Sequence, residues 1–347
     1  MKPSLSKAQS NSRKAESRSI DKLIQHAEEL MDRFEFDAAK QFVDRALVQE
    51  PENERALTLA GIICLETNDF DGARENFQQA IEISPDEGHS KYMYNGQLLT
   101  GMDAVNCFQK GCEIMEKKID EQKNEACEAE ISEMDLSSGF CSIAEIYMTD
   151  ECMSDEAEKA CEEAINKAIE ICNENADAHA LLASFKLSQN DPQSARQSIE
   201  KSVSIWLPSY KNVMENDSME DPLEPCPVPY NARVNSAKLL IEVEQYEMAV
   251  EILDLLLEEE ENVVEVWYLL GWLYKLKGAG FEKNAKFYLE NTQKVAKSVQ
   301  YEDKAVLEHV KNMIAELGEL SESESEGEEN ENASENEDES ESPMQIS

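Results

Sequence analysis

Four histidines, nine cysteines and an excess of carboxylates are the residues of this 347-residue chain that could do chemistry. His26, His89, His179 and His309 are scattered. No two stand at i, i+3 or i+4, the spacings that would bring two imidazoles onto one helix face as metal ligands or an acid–base pair. Each therefore reads as a structural histidine. The cysteines (64, 107, 112, 127, 141, 152, 161, 172 and 226) include no C-x2-C pair. Most fall at small-residue positions of helical patterns and read as reduced core thiols. There is no Gly-rich phosphate loop, no G-x-S-x-G and no H-E-x-x-H. Carboxylate pairs abound, but among 74 acids their spacing carries no specific acid–base signal. The residues point away from an enzyme and assign neither cofactor nor metal.

Charge points to a binding role. The net charge is −42; twelve of the acids lie after Leu317 with no base among them, which leaves the body at −30. Such a field repels nucleic acid and anionic membrane and favours a basic partner. No apolar run approaches the ~18 residues of a membrane span. The first 19 residues are Ser-rich and mildly basic, with no apolar core for a secretory signal.

The elements that must carry this charge are legible around Glu54–Pro85. Ala60 and Gly61 stand together, followed by Ala73, Phe77, Ala80 and Pro85. Small residues let two antiparallel helices approach, Phe77 fills the space between them, and the polar run from Asn68 to Gly72 turns the chain. A lone hairpin of this kind cannot bury its apolar face, so neighbours are required. They are present: Ala27, Ala39, Val43, Ala46 and Pro51 stand 34 residues before Gly61, Ala73, Phe77, Ala80 and Pro85, and Trp267, Leu270, Gly271 and Tyr274 keep W-x2-LG-x2-Y spacing. These residues resemble the tetratricopeptide repeat.

The resemblance implies an all-α tetratricopeptide-repeat solenoid of about seven helical hairpins. The expected repeats are 20–53, 54–86, 87–118, 134–173, 174–207, 230–263 and 264–297. Repeat three is degenerate: Gly96 lies only eight residues before Ala104, so its first helix or turn must be shortened. Residues 119–133 are an acidic insertion or an extension of the preceding helix. Residues 208–229 hold five prolines and read as a long loop. A capping helix is expected over 303–317. Residues 1–19 read as a disordered arm and 318–347 as a disordered acidic tail. In that tail Ser321, Ser323 and Ser325 each have an acid three residues on, which suits acidophilic kinases.

In tetratricopeptide stacks the first helix of each repeat lines the concave face. Carried onto this sequence, the partner-facing positions are Asp21, Glu28, Asp32, Glu66, Glu145, Asp177, Glu242, Glu265, Tyr268 and Trp272, with Lys238 and Lys275 among them. The expected face is acidic with an aromatic platform at one end, suited to Lys and Arg side chains. Repeats that grip the acidic C-termini of heat-shock chaperones resemble one another in a basic clamp; Ile24, Glu28 and Leu59 at those positions cannot build one.

The repeats, the Pro-rich break before the last two, the VWYLLGWLYK run and the Ser/Glu tail together are similar to the fungal assembly chaperones dedicated to large-subunit ribosomal protein four. That resemblance implies a non-catalytic chaperone in nucleus and cytoplasm, shielding a basic ribosomal protein and meeting nuclear import factors. An acidic histone chaperone of the tetratricopeptide kind and a scaffold subunit of a larger complex are the alternatives.

Overall fold

A computed structural model describes residues 7–125, 131–154, 156–215 and 228–318. Among them are fifteen helices and no strand. The chain forms two compact units, with the division after Asp191.

In the first unit α1 (Lys7–Met31) pairs with α2 (Phe36–Gln49), α3 (Glu54–Glu66) with α4 (Phe70–Ile83), α5 (His89–Gln97) with α6 (Gly101–Glu125), and α7 (Glu133–Met148) with α8 (Ala157–Ile171). α9 (Ala176–Ser188) follows. The second unit holds α10 (Pro192–Glu215), the pairs α11 (Tyr230–Glu242) with α12 (Tyr246–Glu259) and α13 (Val264–Lys277) with α14 (Glu282–Ser298), and a last helix α15 over 304–318. This is the tetratricopeptide-type solenoid that the spacing predicts.

Three of the hairpins close by matching a glycine on the first helix to a large residue on the second. A Cβ on Gly61 would stand 2.4 Å from the Phe77 ring, and one on Gly96 2.8 Å from Phe108. Gly271 faces Leu289 in the same way, at 2.7 Å. In the first hairpin the large partner shrinks and glycine becomes alanine: Ala27 shares its core cluster with Val43. The turns repeat as well. Phe34, Asn68, Asn190 and Glu244 take positive φ near 60° two residues before α2, α4, α10 and α12. In each, the next amide donates back to a carbonyl five residues earlier, as in Asp69 N–H to Cys64 O at 2.8 Å and Gln245 N–H to Leu240 O at 2.8 Å.

The degenerate third repeat is shortened in its first helix. α5 has nine residues where α3 has thirteen. The missing turn is the C-terminal one, because Gly96 is followed by a single helical residue whereas Gly61 is followed by five. The segment after this repeat is a helix extension as far as Glu125; residues 126–130 lie outside the described residues.

Two boundaries differ from the sequence reading. Helix α1 starts at Lys7, so the expected N-terminal arm is helical over most of its length. Helix α10 runs through Pro208 to Glu215, so the expected loop begins later. A proline inside a helix costs roughly 3 kcal/mol. Here Trp206, Leu207, Tyr210 and Val213 are all buried around the exposed Pro208, and their burial outweighs the lost backbone bond. Residues 216–227 and 319–347, with Ser321, Ser323 and Ser325, lie outside the described residues. No described helix is long and apolar enough to cross a membrane.

Candidate partner-binding surface

The first helices of successive hairpins stand side by side: α1 against α3, α3 against α5, α7 against α9, and α11 against α13. Their shared faces carry the predicted positions, and the eight acids among them fall into three environments.

Some are open. Asp21 is exposed on α1, Asp32 follows its end, and Glu66 and Glu242 are the exposed last residues of α3 and α11. Others are already neutralised from the adjoining helix. Glu28 accepts two hydrogen bonds from Arg55 Nη2 at 2.7 Å and one from Nε at 3.0 Å, so a carboxylate expected to face a partner is paired across α1 and α3. Glu265 pairs with Lys238 at 2.6 Å across α13 and α11. At the basic-clamp positions Ile24 and Leu59 are core residues.

The third environment is a repulsive pair. Glu145 on α7 and Asp177 in the first turn of α9 share one stretch of wall. Both reach solvent, yet the surrounding protein desolvates them. Burial pushes the Asp177 carboxyl above its usual range; burial and then the charge of Asp177 push up Glu145. Beneath them Cys141 is raised to about 12, by burial first and then by both carboxylates. A buried polar chain sets the spacing of the pair. Asn175 caps α9 by accepting from the amides of Asp177 and Ala178, and its amide donates to Ser137 Oγ on α7 at 2.8 Å. Ser137 in turn donates to Ala168 O at 2.8 Å. Two uncompensated carboxylates held in place this way attract a cation from outside.

Glu145 also edges a cleft of about 520 Å³ lined by Leu99, Phe108, Ile146, Met148 and Leu181. The cleft is apolar with a carboxylate at its rim, and so fits an aliphatic side chain flanked by Lys or Arg. Sequence reasoning missed it because the shortened α5 opens the space, and the eventual partners of Leu99 and Leu181 have no local signal.

The aromatic platform is engaged within the second unit. Tyr268 and Trp272 stack at 6.3 Å and 16°. Helix α15 packs against both, with Tyr268 Oη 2.9 Å from His309 Nδ1 and Lys275 paired to Glu316. The pair is thus part of the junction with the cap, half-buried rather than open.

A buried network was also missed. Arg233 is 1 % exposed and binds Glu259 through both terminal nitrogens, at 2.7 and 3.1 Å. Its Nε donates to Val228 O at 3.1 Å, and its plane lies 4.2 Å from the Tyr210 ring. Tyr210 also bonds Glu259. Glu259 sits in a run of four acids, where nothing local marks it as the partner of Arg233. No group of three or more His, Cys, Asp or Glu that could hold a metal occurs among the described residues.

Comparison with known proteins bears on this geometry. The tetratricopeptide-repeat family pattern matches residues 24–88, which take in most of the first two hairpins. A protein of Schizosaccharomyces pombe described as "Probable assembly chaperone of rpl4" is 30% identical over 288 residues, covering 78% of this chain and 82% of the relative. The chain belongs to this chaperone family. A second member, from Emericella nidulans and of the same description, is 27% identical over 342 residues, 87% of this chain and 83% of the relative. Among solved structures, "Assembly Chaperone of RpL4 (Acl4)" is similar with a TM-score of 0.64 at 28% identity, over 76% of this chain and 99% of that one. The Cut9–Hcn1 assembly shares the fold alone, at 11% identity, a TM-score of 0.55 and coverage of 85% of this chain and 48% of that one.

Proposed function

We propose that the chain is a non-catalytic holdase for ribosomal protein L4, keeping a basic segment of it from stray nucleic acid until it reaches the assembling large subunit. Family membership supports the client. The uncompensated Glu145–Asp177 pair beside an apolar cleft supports the mode of holding, because it offers charge and a hydrophobic seat at one place. A free ribosomal protein carries cationic segments made to lie on RNA, and an acidic wall can cover them until RNA competes better. Escort into the nucleus, with import factors binding the loaded complex, belongs to this reading.

The test is capture of purified L4 by the full chain, parent against Glu145→Lys/Asp177→Lys. Loss of capture by the variant with unchanged helicity supports the reading. Equal capture moves the contact elsewhere. Recovery of core histones in place of L4 from a lysate rejects the client.

A further inference from the structure

In a chain of net charge −42, the exposed face of α14 is positive. Lys283, Lys286, Lys294 and Lys297 are all exposed. At 3.6 residues per turn they fall within roughly a quarter of the helix circumference. The buried Ala285, Leu289, Thr292 and Ala296 occupy the other side. Two acids belong to this helix. Glu282 accepts from Gly280 N–H at 2.9 and 3.1 Å and is taken up by its own turn. Glu290 lies within the lysine stripe. Phe287, 56 % exposed, sits beside it against the Trp267 and Tyr288 rings.

Many bases elsewhere in the repeats are consumed by carboxylates, as Lys91 is by Glu54, Lys167 by Glu116 and Lys238 by Glu265. The four lysines of α14 differ. Among the described residues none has a carboxylate within 4.0 Å, and Lys294 donates only to the Asn291 side-chain oxygen at 3.1 Å.

We propose that this stripe is the seat of the chain's own acidic tail, residues 319–347. The tail holds twelve acids and no base. It leaves close by: Leu317, the penultimate residue of α15, is buried in one cluster with Ala285 and Leu289 on the inner side of α14, so the tail has only to round this one helix to reach the lysines. It is also long enough. The 14-residue step from Lys283 to Lys297 spans about 21 Å of helix, which about seven extended residues cover. Residues 319–331 alone bring seven acids. A short tether holds the segment near its seat at an effective concentration of about a millimolar, so modest contacts suffice. Seated there, the tail covers a surface on which RNA phosphates could otherwise settle and leaves the acidic wall free for a cationic client. Phosphate on Ser321, Ser323 or Ser325 would add about −1.5 to −2 each and tighten the seat.

The experiment is zero-length carbodiimide cross-linking of the full chain without client, read by mass spectrometry. At low salt, tail carboxylates should join to the four α14 lysines about fivefold or more over Lys22, Lys40 and Lys159, and the excess should vanish at about 1 M salt, where the screening length is ~3 Å. A Lys283→Glu/Lys297→Glu variant should lose links at the retained Lys286 and Lys294, whereas Glu290→Lys should gain them. Links spread evenly over surface lysines, or retained lysines indifferent to both variants, would overturn the proposal. Because no client is present, neither result bears on L4 capture.

Discussion

Trp267 and His179 make the same bond in different repeats: each ring N–H donates to the carbonyl six residues earlier, Trp267 Nε1 to Glu261 at 2.7 Å and His179 Nε2 to Asn173 at 2.9 Å. Each bond ties the turn behind one helix to the start of the next. The histidine therefore carries a proton on Nε2 and is a structural stand-in for tryptophan. Trp267→Phe and His179→Phe keep the ring and drop the donor. Each should cost about 0.5–1.5 kcal/mol in urea denaturation.

The Gly61–Phe77 match gives a coupled pair. Gly61→Ala alone places a methyl against the ring and should cost about 1–3 kcal/mol. Phe77→Val alone opens a void and should cost about 2–4 kcal/mol. Together they reproduce the Ala27–Val43 pairing of the first hairpin. We expect the double variant to be more stable than the sum of the singles by at least about 1 kcal/mol, read from a double-mutant cycle.

Phe34 holds φ of 60° in a turn where the next hairpin uses Asn68, and its side chain is 81 % exposed. A left-handed conformation costs an ordinary residue about 1–2 kcal/mol. Phe34→Asn should raise the melting temperature, by the equivalent of about 0.5–1 kcal/mol. A fall would mean the exposed ring contributes more than its backbone costs.

Glu145 and Asp177 link stability to pH. Their carboxyl pKa values are raised in the folded state, so the fold holds extra protons between the unfolded and folded values. Stability then falls as pH rises through that interval. Glu145→Gln and Asp177→Asn should stabilise the free chain at neutral pH, by up to about 0.5 kcal/mol, and the gain should disappear below the unfolded carboxyl value of about 4. The same variants should hold L4 less well. Thermal melts at two pH values, set beside capture, would expose that opposition.

Arg233→Met leaves the partly buried Glu259 carboxylate without its cation. We expect a loss of about 3–5 kcal/mol, with much of it recovered when Glu259 is also made apolar. Denaturant midpoints of the three chains decide it.

The hairpins were legible because their spacing is local: Ala27, Gly61 and Gly271 each announce a close approach from sequence alone. Even the shortening in repeat three could be read, from the eight-residue step from Gly96 to Ala104, although that step did not say whether the helix or its turn gave up the residues. Pro208 misled, because Tyr210 is covered by Arg233 and bonded to the carbonyl of Leu255, both on helices far downstream. The face was half legible. The family resemblance put Glu145 and Asp177 among the candidate positions, but that Arg55 would occupy Glu28, or Lys238 Glu265, depends on how neighbouring helices set their long side chains. The Tyr268–Trp272 pair was visible as aromatic spacing; its burial by α15 was not.

Arg233 reaches back to the carbonyl of Val228, while its partner Glu259 also takes the hydroxyl of Tyr210. The chain before residue 216 and the chain after 227 are thereby fastened to the same knot. A protease site or small epitope spliced between them should be cut or displayed with the flanking helices still joined, giving a handle for immobilising the protein without disturbing its hairpins.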